Sequence, residues 1–373
     1  MQFTINSQVL LNLAQRASVI CPSKSMLPII ENLLISVNGA DKKIIITATN
    51  LEDSIIISSD ILTCDFDTTK SVAIAPKITE DLLKSLPQQE LTIIFTDNNG
   101  VKLQTETGLY SISGEETDNF PPVMDFEALE SFELPKRIFM RGYEKVGFAI
   151  STDPDRMALN CMYVRLSKGE ITFVGTDAHK LVAFSVDFET EKELNFLLRQ
   201  KACDFIKKSL NANDTIKISL SENNIIFESE NSKIIIRALQ EKYPKWENVI
   251  PQNNDKRVCI AKEDLLRSIK RTGFFANKIS NLIQLHVGEN NISIKSEDLD
   301  FATEAKEVLR CVSDSEIVIG MNAVNMAACL NIIDTDIVNI ELGEPNRAML
   351  LKNEKEVLGE TLTVLVMPIM LVN

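Results

Sequence analysis

Histidine is nearly absent: two stand in 373 residues, and the seven cysteines never form a C-x-x-C pair. Structural zinc sites draw on closely spaced Cys and His, so a zinc-organised fold is not expected. An odd number of scattered cysteines also argues against a disulfide framework and for reduced thiols, as in a cytoplasmic protein. No apolar run reaches the roughly 18 residues that a membrane span needs. The opening M-Q-F-T-I-N-S lacks the basic-then-apolar layout of a signal peptide. A cytoplasmic location with no membrane partner is therefore expected. Also missing are G-x-x-x-x-G-K-[ST], which cradles nucleotide phosphates, and the G-x-S-x-G nucleophile elbow. Asp153, Asp155, Asp177 and His179 are the candidate groups for a metal that cleaves phosphodiesters. Their spacing matches no such motif, and groups of this kind are more often structural or binding residues. No catalytic residue, metal or cofactor is expected.

Positive charge is in the minority, with 39 Lys and Arg against 53 Asp and Glu and a formal net charge of -14. Bulk charge of that sign argues against nucleic acid. The field at a site follows the local distribution, however, and here the cations are segregated. In Pro135–Ile150, Arg137, Arg141 and Lys145 recur every fourth residue and form one basic stripe on a helix. Ile138, Phe139, Val146, Ala149 and Ile150 fall on another side and face a core. Pro135 suits the first helical turn, where its missing N–H costs nothing. A helix at Arg199–Leu210 buries Ala202, Phe205, Ile206 and Leu210 and leaves Lys201 and Lys208 opposite. Another at Lys262–Thr272 carries Arg267, Lys270 and Arg271. Any one such stripe is ordinarily a solvated face. Their recurrence in an acidic chain points instead to a polyanion. The helix Asn322–Ile332 departs from the pattern, with no basic residue.

The recurrence is part of a threefold repeat of roughly 125 residues, about one small domain each. Each third opens with a strand and a helix: Gln2–Ile5 and Ser7–Val19, then Leu134 and the Pro135 helix, then Val258–Ile260 and Lys262–Thr272. A hairpin follows, with Asn-Gly, Lys-Gly or Gly-Glu-Asn between β-branched runs. A second helix comes next, at Pro76–Ser85, Arg199–Leu210 and Asn322–Ile332, and leads into more strands. Phe120-Pro121-Pro122 and Tyr243-Pro244-Lys245-Trp246 close the first two thirds. The expected fold is α+β, with domains 1–123, 124–251 and 252–373, each with β-sheets and two helices. Free sheet edges at the ends would pair with another copy head to tail. Twelve helices at roughly 8–10 Å spacing would line a circle roughly 35 Å across, wide enough for a DNA duplex.

The set L-P-I-I-E-N-L-L at Leu27, D-R-M-A-L-N at Asp155, V-G-T-D-A-H-K-L at Val174, Y-P-K-W-E-N-V-I-P at Tyr243 and the terminal V-M-P-I-M-L resembles the bacterial β sliding clamps, the processivity subunits of replicative DNA polymerase III. The resemblance runs the length of the chain. It implies a homodimeric ring around double-stranded DNA, without catalytic activity. A clamp loader opens such rings with ATP, and polymerase and repair proteins tether through short linear motifs. The family's peptide pocket would fall on Leu159, Thr176, Leu181, Pro244, Val249, Leu365 and Met367 in its deep part. Ala178, His179, Lys180, Asn322, Ala348, Pro368 and Ile369 would complete it. The family often has glycine where Ala178 stands and arginine where Asn248 stands, which puts the choice of peptide in question. The dimer seam would use Tyr110 and Ile112 against Phe274 and Phe275. DNA contacts would come from Lys24, Arg137, Arg141, Lys145, Lys201, Lys207, Lys208, Lys270 and Arg271.

Overall fold

The computed structural model describes residues 1–123, 126–211 and 213–371. The first expected domain border, between 123 and 124, therefore touches residues outside the described set. Six α-helices stand among the described residues: α1 Ser7–Ser18, α2 Pro76–Ser85, α3 Lys136–Val146, α4 Gln200–Ser209, α5 Lys262–Gly273 and α6 Ala323–Asn331. Each lies within two residues of its expected start. Local chemistry explains why. Asn6 caps α1, its side chain accepting from the Gln8 N–H at 2.9 Å, and Asn322 caps α6 through the Asn325 N–H at 3.0 Å. Pro76 opens α2. The one long expectation, 135–150, is shorter: α3 ends at Val146 and gives way to a tight turn at Gly147–Ala149. A Cβ on Gly175 would come within 2.5 Å of the Val146 carbonyl, so the helix end packs directly on strand backbone.

The strands are short and rich in isoleucine, and they alternate. In Lys43–Thr49 (KIIITAT), Ile44, Ile46 and Ala48 are fully buried while Ile45 and Thr47 are half-buried. All pairings between named strands are antiparallel.

The chain forms two compact units. One comprises Met1–Phe139 with Lys201–Ala238, the other Met140–Gln200 with Leu239–Asn373. The middle third of the sequence is thus shared between them. Hydrogen bonding explains the division, because sheets run on across the expected repeat borders. In the first unit a nine-stranded sheet pairs Ser54–Asp60, the third strand after α1, with Ser232–Arg237, the third strand after α4. In the second unit another nine-stranded sheet pairs Lys180–Asp187, third after α3, with Glu360–Val366, third after α6. Each unit has one further sheet. The first unit's has five strands and ends at Leu109–Ile112, third after α2. The second unit's has four and ends at Thr303–Arg310, third after α5. Among the described residues these two third strands have a neighbour on one side only.

Candidate peptide cleft and cationic surfaces

The second unit contains an apolar cleft of about 460 Å³. Three segments build it. The hairpin Glu170–Thr176 and Lys180–Asp187 supplies Thr176, Ala178, Lys180 and Leu181. The stretch after Tyr243 supplies Pro244, Lys245, Trp246, Val249 and Pro251. Leu159, Arg347, Ala348, Leu365 and Met367 complete the lining. Leu181, Ala348 and Leu365 belong to a buried cluster with Cys161, Val174 and Tyr243, so the floor is fixed by core packing. Tyr243 stacks on Tyr163 with ring centroids 4.9 Å apart. Trp246 lies beneath the Arg165 guanidinium, which pairs with Glu247 at 2.5 Å. Val249 and Met367, by contrast, are exposed at the mouth.

One wall is a tight turn. Thr176 Oγ1 donates to the Lys180 carbonyl at 2.7 Å and accepts from the Ala178 N–H at 3.2 Å. Asp177 accepts from the backbone N–H groups of His179 and Lys180, both at 2.9 Å, and pairs with the Lys180 ammonium. Burial works against ionisation of Asp177, but the Lys180 and backbone bonds outweigh it and hold the carboxyl below its usual range. Ala178 at the tip has φ +74°, a conformation suited to glycine.

Ten of the fourteen expected pocket residues line the cleft. Lys245, Trp246, Pro251 and Arg347 were missed, although the first two sit inside the quoted Y-P-K-W run and Trp246 is the chain's one tryptophan. His179, Asn322, Pro368 and Ile369 do not line it. His179 is exposed on the turn, and its carbonyl accepts from the Met367 N–H at 2.8 Å. Asn322 is occupied as the cap of α6 and donates to the Ser280 carbonyl at 3.0 Å. Ile369 N–H donates to the Gly320 carbonyl at 2.8 Å, and a Cβ on Gly320 would meet the Ile369 oxygen at 2.5 Å. The chain at Ile369 is therefore docked on the strand Ile317–Asn322 rather than frayed.

The cations divide sharply. In the first unit Lys24, Arg137, Lys201, Lys207 and Lys208 are exposed, with no ion partner among the described residues; in the second, the same holds for Lys270. Lys145 corrects the expectation of a free basic stripe on α3. It is 4 % exposed, and its ammonium pairs with Asp334 at 2.7 Å and donates to the Ile332 carbonyl. Arg141 is half-buried and bonded to Asp334 and Glu360, each at 3.0 Å, with Phe184 below its guanidinium. Arg271 is exposed but bidentate on Glu307 at 2.7 and 2.6 Å. The every-fourth-residue spacing was right, but the carboxylates facing Arg141 and Lys145 come from sequence 189 to 219 residues away.

At the expected seam, Phe274 is 74 % exposed, and Phe275 and Tyr110 are also exposed. Ile112 is buried in its own unit instead, opposite Val101 in register. Among the described residues no group of three or more His, Cys, Asp or Glu is placed to hold a metal ion, and no helix is long and apolar enough to cross a membrane. Asp153 pairs with Arg156 at 3.3 Å.

This architecture is that of the bacterial sliding clamps. It superposes on a Pseudomonas aeruginosa DNA polymerase III β clamp bound to griselimycin with a TM-score of 0.92 at 21% identity, over 100% of both chains. A Thermotoga maritima DNA polymerase III β subunit gives 0.91 at 21% identity, again over 100% of both. In sequence, the chain is 23% identical to a β sliding clamp of Staphylococcus epidermidis over 99% of each. Family models for the DNA polymerase III β subunit match in series: the N-terminal domain at residues 1–125, the central domain at 133–245 and the C-terminal domain at 247–370. The chain belongs to the DNA polymerase III β subunit family.

Proposed function

We propose that the protein is a DNA sliding clamp: two copies close head to tail around duplex DNA, and the cleft tethers the replicative polymerase and other proteins by short peptides. The three repeats are taken as 1–123, 124–251 and 252–373. The observation that carries the reading is the strand arithmetic. Third strands pair at both internal joints, and the two third strands left over, Leu109–Ile112 and Thr303–Arg310, each have one open edge. A second copy satisfies both by the same pairing, and Phe274, Phe275 and Tyr110 supply exposed apolar surface for it. Ile112 would support that surface from below.

Lys24, Arg137, Lys201, Lys207, Lys208 and Lys270 are the proposed DNA contacts. Cations that touch phosphates alone hold any sequence and permit sliding. Arg141, Lys145 and Arg271 are left out, because carboxylates of the same chain neutralise them. The cleft suits a peptide with two or three apolar anchors, with Lys245 and Arg347 in its lining to meet acidic or carbonyl groups. Nothing in this scheme asks the chain to catalyse a reaction. A closed ring must be opened by a separate clamp loader, and the work is done wherever the chromosome lies, in the cytoplasm. The test is primer extension with polymerase, loader and ATP on a long template. Added clamp should lengthen the products of single binding events; unchanged product length would contradict the reading.

A further inference from the structure

The helices carry a second repeat, in how their ends are held. Position one of the odd-numbered helices is Ser7, Lys136 or Lys262, and position ten is Arg16, Lys145 or Arg271. The first two position-ten cations do the same work. Arg16 Nε donates to the carbonyl of Ser209, the tenth residue of α4, at 2.8 Å. Lys145 Nζ donates to the carbonyl of Ile332, the tenth residue counted from the start of α6. The last carbonyls of a helix lack intrahelical partners and carry partial negative charge, so a cation there satisfies both deficits. Arg16 and Ser209 lie in the unit whose sheet joins the third strands after α1 and α4. Lys145 and Ile332 lie in the unit that joins those after α3 and α6.

The third member of each set lacks its counterpart within one chain. Arg271 lies beside the open edge, held by Glu307 of Thr303–Arg310 through Nε and Nη2, which leaves Nη1 without a bond among the described residues. On the receiving side, the tenth residue of α2 is Ser85, exposed, and no cation bonds the carbonyls of that last turn among the described residues. Position one is also weaker there. Lys136 and Lys262 donate ammonium groups to carbonyls just past α4 and α6, whereas Ser7 offers the Pro87 carbonyl a hydroxyl at 3.2 Å.

We propose that Arg271 is an intersubunit helix cap: it keeps Glu307 and donates through Nη1 to the Ser85 carbonyl at the end of α2 in a second copy of this chain. The proposal rests on the head-to-tail dimer and assigns Arg271 to its seam rather than to DNA.

The test is the dimer dissociation constant, read by subunit exchange between fluorescently labelled copies. Arg271→Met should weaken the dimer about tenfold, the scale of a partly buried cation at a helix end. Arg271→Lys should keep most of the affinity, since a lysine fills the role at position 145. Arg267→Met, one turn away and exposed, should leave it unchanged. Ser85→Lys should weaken the wild-type dimer by setting a like charge at the receiving end, and should weaken the Arg271→Met dimer much less. Melting of each variant below its dissociation constant shows that the monomer still folds. An unchanged constant in Arg271→Met, or an equal loss from Ser85→Lys in both backgrounds, overturns the cap while leaving the ring intact. A wild-type chain that stays monomeric at every concentration overturns the ring reading itself.

Discussion

Ala178 sits at the tip of the cleft turn with φ +74°, where a Cβ is strained. The bonds from Thr176 and Asp177 hold the turn in that shape regardless. Ala178→Gly should therefore stabilise the protein by about 1 kcal/mol, or raise Tm by about 2 °C in a chain of this size. Differential scanning calorimetry reads it, and a lower Tm would mean that glycine's extra unfolded-state freedom dominates. Asp334 is the other informative residue. Burial opposes its ionisation, yet the bonds from Lys145 and Arg141 hold its carboxyl below the ordinary 3.8. A lowered folded pKa stabilises the fold above the unfolded value and loses that contribution as pH falls through the folded one. Asp334→Asn should cost about 1–3 kcal/mol at pH 7 in urea unfolding. The gap to wild type should begin to narrow below about pH 4 and close as pH falls through the lower folded value. A gap that persists at pH 2 would show that packing, not charge, is responsible. Spacing in the sequence revealed the Lys145 stripe, but the partner carboxylate, Asp334, comes from the distant loop just past α6, so its burial was not legible.

The helices were the most legible elements: Asn6 and Asn322 cap α1 and α6 and Pro76 opens α2, whereas α5 follows Ala261 without a side-chain cap and Pro135 closes the strand before α3 instead of opening the helix. The cleft was legible through the family resemblance, which placed ten of its lining residues, but of the Y-P-K-W run it gave only Pro244 and not Lys245 or Trp246. The course of the terminal residues was not, since it depends on backbone bonds from Met367 and Ile369 to His179 and Gly320. Met367 is 38 % exposed at the cleft mouth, so Met367→Asp should weaken a tethering peptide about tenfold or more by fluorescence anisotropy, without altering Tm. A lowered Tm with unchanged binding would place Met367 in the core instead. On α4, Lys207→Ala and Lys208→Ala should each reduce the log–log salt slope of DNA binding by about one, while Lys145→Ala should leave the slope alone. Equal slopes for all three would contradict the division between free and paired cations.

For the whole molecule, the repeat was readable from strand, helix and hairpin order, but the grouping into two compact units was not. Repeats are a property of the sequence, whereas compactness follows the continuous sheets formed where Ser54–Asp60 meets Ser232–Arg237 and Lys180–Asp187 meets Glu360–Val366. The same joints imply a third, between copies, and topology is the property that follows from it. A net charge of -14 gives bulk attraction to DNA little scope, so retention should depend on closure. The most direct measurement loads the protein on nicked circular DNA with a clamp loader and ATP, removes free protein by gel filtration, and linearises half the sample. Protein that stays on circles and runs off linear DNA is held by encirclement, as this account predicts. Equal release from both forms would contradict it.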